Sequence, residues 1–155
     1  FNAGEAADLV GMPFINREKE VFKKLDKLTP GIVAVTDGPN GVIVSDGEYL
    51  YKAGIFPEKR MADRTGAGDA FGSGFVAGLM RFSDMTNRSD GFDRSDGSDG
   101  SDRTYSPEAI KYAIRFASAN ATSVVEQVGA TEGILTKKQF ESARWENFPI
   151  KVSRL

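Results

Sequence analysis

Residues Asp63-Arg64-Thr65-Gly66-Ala67-Gly68-Asp69 form a run of small residues that ends in a carboxylate and passes straight into a helical pattern. Phe71, Phe75, Leu79 and Phe82 follow at i, i+4, i+8 and i+11, so a helix opens at Asp69. Gly72, Gly74 and Gly78 lie inside it, although glycine is a poor helix former. Their placement predicts that another backbone packs closely there.

The rest of the chain mixes strand and helix signals. Phe1-Asn2 reads as the end of a strand running into a short helix over Glu5 to Val10, closed by Gly11. Asn16 is the expected N-cap of a second helix, with Glu18 in its first turn and Val21, Phe22, Leu25 and Leu28 on its apolar face. Thr29-Pro30-Gly31 breaks it. Ile32 to Val35 is a β-branched run, Asp37 to Gly41 a turn, and Val42-Ile43-Val44 and Tyr49-Leu50-Tyr51 a hairpin around Asp46-Gly47. Ser106, Pro107 and Glu108 start a helix whose face is Ile110, Ile114, Ala117, Ala121 and Val124. Thr136 and Gln139 make a capping box for a last helix through about Arg144, and Pro149 to Val152 reads as a short strand. Hairpins between helices point to an α/β layer structure. Ser83 to Tyr105, with its repeated Ser-Asp-Gly, is a low-complexity polar stretch that cannot bury a core, so 83–105 is expected to be a flexible insertion. It lacks the spacing and closing Glu of a calcium loop.

Composition narrows the chemistry. The chain has 155 residues, no cysteine and no histidine. Disulfides, Cys/His zinc sites and Ser-His-Asp triads are excluded, and acid–base work falls to carboxylates, Lys or Tyr. With 20 basic and 22 acidic residues the net charge is −2, which gives no footprint for nucleic acid or an anionic membrane. No apolar run approaches the ~20 residues of a membrane span, and Phe1 to Leu9 does not read as a signal peptide. A cytoplasmic location is the default expectation.

Small residues let backbone N–H groups converge on an anion, and a helix start adds unsatisfied donors. Such a nest suits the charge on a transferring phosphoryl group. The helix dipole favours the charged form of a carboxylate there, which then accepts a proton from an attacking hydroxyl. The local chemistry also allows a plain helix cap after a glycine turn. The P-loop pattern is absent, the dinucleotide fingerprint fails because Phe71 stands where its last glycine belongs, and the protein-kinase motifs are missing.

Asp63-x-Thr65-Gly66-Ala67-Gly68-Asp69-x-Phe71 resembles the second signature of the ribokinase-like, or phosphofructokinase-B-type, carbohydrate kinases. Asn2-Ala3-Gly4-Glu5 resembles the family's Asn-x-x-Glu motif, and Thr36-Asp37-Gly38-Pro39-Asn40-Gly41 its Thr-x-Gly-x-x-Gly turn. Asn120 to Gly133 resembles the segment that closes the adenine pocket. Arg64 departs from the small residue common at its place.

The resemblance implies an α/β fold: the C-terminal portion of a ribokinase-like three-layer α/β/α sandwich, with β hairpins at the nucleotide side. Residues 1–155 would form its nucleotide-binding and catalytic portion, with the family's substrate-choosing half outside this chain. It implies ATP-dependent phosphorylation of a sugar or related hydroxyl, with Asp69 as general base and the N–H groups of Gly66, Ala67 and Gly68 as anion hole. Thr36, Gly38, Gly41 and Thr65 are assigned to the nucleotide and Asn120 to the adenine. Asn2, Glu5 and Asp63 are assigned to Mg2+. Potassium is a further expectation, through backbone oxygens near Asp63, Thr65, Val124 and Gly129, although Gly133 stands where some members place a Ser ligand. The expected partner is a small sugar, with no nucleic acid or membrane, and a homodimer of the full-length protein is an open option. The alternatives are a non-catalytic nucleotide-binding or regulatory module and a purely structural α/β domain.

Overall fold

The first helix, α1 (Ala3–Val10), begins with a reciprocal cap: Asn2 Oδ1 accepts the Glu5 N–H at 2.9 Å and Glu5 Oε2 accepts the Asn2 N–H at 2.8 Å. It ends at Gly11, as expected. The structure, a computed structural model, describes residues 1–29, 31–89, 105–129 and 131–155. They form two compact units: Phe1–Pro57 with Glu146–Leu155, and Glu58–Trp145.

In the first unit, α2 (Glu18–Leu28) buries Val21, Phe22 and Leu25. Two expectations fail here. Arg17, not Asn16, is the N-cap residue; Asn16 takes a left-handed conformation (φ 62°), which its short polar side chain tolerates better than most, and turns the chain before the helix. Leu28 is 63 % exposed, because it lies at the helix end beyond the sheet-facing turns. The strands β1 (Val33–Thr36), β2 (Val42–Ser45), β3 (Tyr49–Ala53) and β4 (Ile150–Arg154) form an antiparallel meander in that order. Val35 pairs with Ile43 and Leu50 with Ser45, so one sheet face sets Val33, Val35, Ile43 and Leu50 against Ala6, Phe14, Phe22 and Leu25. Each such side chain contributes about 1.5–3 kcal/mol when enclosed. A single parallel bridge joins Asn2 to Thr36, so Phe1-Asn2 does end a short extended stretch beside β1. Phe56 stacks on Phe148 at 4.2 Å.

In the second unit, α3 (Ala67–Ser89) lies along α4 (Pro107–Val125). Ser106 caps α4 through the Ala109 N–H, as expected. A Cβ at Gly78 would sit 2.7 Å from Ala113 Cα, and one at Gly74 3.1 Å from Ala117 Cα. The expected close backbone is therefore α4. Gly72 is different, since nothing lies within 4 Å of its Cβ direction. The expected insertion starts too early: α3 continues through Ser83 to Ser89, because strong helix breakers appear only after that point. Residues 90–104 of that insertion lie outside the described residues. The last helix is also shorter than expected. The Thr136–Gln139 capping box forms, but α5 covers only Lys137–Phe140, and a 3₁₀ turn at Ala143–Trp145 follows. That tighter turn places Trp145 in the interior and Arg144 against Glu126. Phe140 packs edge-on to Phe116 (4.7 Å) and Tyr112 (5.9 Å), which fixes α5 on α4.

Two expectations for stability follow from these contacts. Gly78→Ala should lower unfolding free energy by about 1–3 kcal/mol, because a packed helix must move, whereas Gly72→Ala should be neutral or stabilising by up to about 1 kcal/mol. Urea unfolding of both variants checks the contrast, and equal effects contradict it. Asp26 accepts from Ser45 Oγ at 2.8 Å, but its Oδ1 is buried with no partner among the described residues. Burial raises its carboxyl above the ordinary 3.8, against the Ser45 hydrogen bond, and Asp46 raises it further. A raised folded value means stability is fully present below the unfolded value and is lost as pH rises through the folded one. Asp26→Asn should therefore stabilise at neutral pH, by about 0.5 kcal/mol after solvent screening, and have no effect near pH 3 or below. Thermal melts across that range decide it; a lower neutral-pH Tm contradicts it.

Candidate active site

The glycine loop is held from both sides. Asp63 Oδ1 accepts the Thr65 N–H at 2.9 Å and its Oδ2 accepts the Gly129 N–H at 3.4 Å. The Thr65 N–H first, then the Thr65 hydroxyl and the Gly129 N–H, hold its carboxyl below the usual range. The N–H groups of Ala62 and Asp63 both donate to the Val125 carbonyl, at 3.0 and 3.2 Å. The loop is thereby tied to the end of α4. Gly66 then adopts φ 80°, a region most side chains avoid, and turns the chain into α3. Its carbonyl accepts the Ala70 N–H at 2.8 Å, closing the first turn.

Of the three expected anion-hole donors, Gly66 and Gly68 have N–H groups without a partner among the described residues. The Ala67 N–H instead donates to Arg64 O at 3.3 Å. The N–H of Asp69 is also unpaired among these residues, and sequence reasoning did not single it out. The Asp69 side chain is exposed in the first turn of α3, and Ser73 Oγ donates to its carbonyl at 2.7 Å. Arg64 is exposed, with Nε 3.1 Å from Met61 Sδ.

The first unit holds Asn2, Glu5, Thr36, Gly38 and Gly41. Three of them are neighbours: Asn2 and Glu5 share the α1 cap, and Thr36 donates its N–H to Phe1 O at 3.0 Å beside them. Gly38 starts a 3₁₀ turn that ends at Gly41. Gly41 has φ 94°, and a Cβ there would collide with the Ala53 carbonyl, so only glycine fits. The second unit holds Asp63, Thr65, Gly66, Ala67, Gly68, Asp69 and Asn120.

The magnesium expectation names Asn2 and Glu5, which share the α1 cap in the first unit, and Asp63 in the second. No group of three His, Cys, Asp or Glu residues is gathered among the described residues. Asn2 is used in the α1 cap, and both Asp63 oxygens accept backbone N–H groups. Glu5 is exposed and uses Oε2 in the cap, and its second oxygen suits the water shell of a hydrated cation. Of the positions named for potassium, the Asp63 carboxylate accepts the Gly129 N–H, and the Val124 carbonyl accepts the N–H of Gln127. A Ser at Gly133 would strike the Ser123 carbonyl.

Asn120 is only 4 % exposed and spends its amide internally: Nδ2 donates to Ala70 O at 2.9 Å and Oδ1 accepts the Leu135 N–H at 3.0 Å. At that burial the amide offers almost no surface to a nucleotide, although a second Nδ2 hydrogen and a second Oδ1 lone pair stay open. Sequence reasoning also missed Glu126. Its carboxylate accepts both Arg144 Nη groups and the Lys59 N–H (2.6 Å), while Arg60 Nε donates to its carbonyl at 2.8 Å. The segment leading into the glycine loop is thus fastened to the end of α4. No local signal announces this, since the partners lie 67 and 18 residues away.

The pfkB family carbohydrate kinase description matches residues 1–137. The chain belongs to that family. It is 42 % identical over 64 residues to an ATP-dependent 6-phosphofructokinase of Thermoanaerobacterium thermosaccharolyticum, covering 41 % of this chain and 19 % of that enzyme. It is 39 % identical over 59 residues to adenosine kinase of Schizosaccharomyces pombe, covering 37 % and 17 %. The structure of Arabidopsis thaliana ribokinase complexed with ribose and ATP superposes with a TM-score of 0.67 at 26 % identity, over 89 % of this chain and 37 % of that one. The fold is therefore ribokinase-like α/β, and the chain spans less than half the length of these relatives. Among the described residues no helix is long and apolar enough to cross a membrane.

The Arg144 guanidinium holds the Glu126 carboxyl below its ordinary 4.5, against its burial, with the Lys59 N–H assisting. A lowered folded value means the stabilisation is present above about pH 4.5 and is lost as pH falls through the lowered one. Arg144→Ala should cost about 2–3 kcal/mol at neutral pH, less than a fully enclosed pair because 25 % of the Arg144 side chain is exposed. It should also flatten the acid limb of the stability profile, which denaturant melts at several pH values measure.

Proposed function

We propose that this chain is the nucleotide-holding and catalytic portion of an ATP-dependent carbohydrate kinase, acting on a sugar or related hydroxyl. The observation that carries the reading is the first turn of α3, where an exposed Asp69 follows Gly66 and Gly68, whose N–H groups have no partner among the described residues. Membership of the pfkB family supports it. In the proposed reaction the substrate oxygen bonds to the γ-phosphorus of ATP while its proton passes to the Asp69 carboxylate. The bond from phosphorus to the β,γ-bridging oxygen breaks, and ADP leaves. The free N–H groups donate to the phosphoryl oxygens as charge builds there. Thr36, Gly38 and Gly41 shape a turn for the nucleotide, with Thr65 in the phosphate loop. Magnesium, when bound, would neutralise phosphate oxygens, and Glu5 would meet its water shell through Oε1. Ribose, fructose 6-phosphate and adenosine are the first substrates to try, given the relatives.

The test uses the full-length protein. Asp69→Asn should cut turnover about 100- to 10 000-fold while MgADP affinity, measured by titration, stays unchanged. Near-normal turnover in that variant removes Asp69 from the reaction. A folded wild type that binds nucleotide but transfers no phosphoryl group favours the non-catalytic module instead.

A further inference from the structure

The buried amide of Asn120 stands at a junction. Nδ2 reaches Ala70 O across 50 residues of sequence, and Oδ1 takes the N–H of Leu135, the residue before the α5 cap. Ala70 is the residue after Asp69. Its N–H is held by Gly66 O and its carbonyl by Asn120, so the turn that carries Asp69 is fastened at both polar groups of one residue. In an α-helix that carbonyl also faces the N–H of Gly74. Gly74 has no side chain, and a Cβ there would stand 3.5 Å from Asn120 Nδ2 and 3.1 Å from Ala117 Cα. The glycine therefore makes the space through which the amide approaches the helix. A buried polar side chain bonded at both ends, one of them in the turn that carries Asp69, orients that turn.

We propose that Asn120 is a positioning residue for phosphoryl transfer: it sets the first turn of α3, and with it Asp69 and the N–H groups of Gly66 and Gly68, without touching the nucleotide. The proposal rests on the kinase reading above. Displacement of a reacting group by about 1 Å costs up to about 100-fold in rate. Loss of Asn120 should thus appear in kcat rather than in nucleotide binding.

Two variants separate its two bonds. Asn120→Ala removes both. Asn120→Asp, of the same size, keeps an acceptor for Leu135 and loses the donor to Ala70; it also serves if the alanine variant does not fold. In the full-length protein, with MgATP and whichever of ribose, fructose 6-phosphate or adenosine the wild type phosphorylates, each variant should lower kcat about 10- to 100-fold with KM for ATP within about twofold. Amide hydrogen exchange should quicken at residues 69–71 in both variants and at Leu135 in Asn120→Ala alone. A tenfold rise in KM for ATP with kcat unchanged overturns the proposal in favour of a direct nucleotide contact. Unchanged kcat in a folded variant, or unchanged exchange at residues 69–71, overturns it as well. A wild type inert with all three substrates sinks the kinase reading, and the exchange at residues 69–71 then decides by itself whether Asn120 holds the turn.

Discussion

The close approach of α3 and α4 is the constraint on which the second unit depends. Ala113, Ala117 and Asn120 recur at i, i+4 and i+7 on α4, so they form one stripe. Gly78 and Gly74 meet that stripe with no side chains of their own. Each glycine weakens the helix by about 1 kcal/mol relative to alanine. The cost is offset because the two backbones come near enough for a short amide to cross between them. A larger residue on either helix would push the axes apart and lengthen the 2.9 Å bond from Asn120 to Ala70. Packing and polar chemistry are therefore one arrangement here: the small residues set the distance, and the amide uses it.

Charged groups in the two units show how environment decides the sign of their effect. Glu126 and Asp26 are both carboxylates withdrawn from water. Glu126 meets a guanidinium and a backbone N–H, so its ionised form is favoured and it joins residues 59 and 60 to the end of α4. Asp26 meets one hydroxyl, leaves an oxygen without a partner among the described residues and has Asp46 nearby, so its ionised form is disfavoured. Burial acts in the same direction on both, and the partners make the difference.

What the sequence disclosed follows from the range of each interaction. Both capping boxes, Asn2 with Glu5 and Thr136 with Gln139, span three residues and are legible as residue pairs. The Gly74 and Gly78 contacts were legible as glycines out of place in a helix, although the same signal misled at Gly72. Asn16 misled because the residue that caps helices also tolerates left-handed backbone. Leu28 misled because periodicity identifies a face without showing how far along the helix the core extends. The glycine loop was legible as a run of small residues leading into a helix start. The bonds that hold it were not, since Val125, Gly129 and Asn120 lie fifty or more residues from the groups of the loop and first turn that they bond, and carry no local mark.

This division bears on how such a site works. A helix start leaves N–H groups without intrahelical partners, and in α3 those of Gly68 and Asp69 remain open while Ala67 is drawn back to Arg64. Open donors can serve an anion only if the surrounding backbone does not relax to satisfy them. Here the Val125 carbonyl, the Asp63 carboxylate and the Asn120 amide each hold one side of the loop. The scaffold bonds are satisfied while a few donors among the described residues are not, and in the proposed reaction an arriving phosphoryl group would meet dipoles that need no reorganisation.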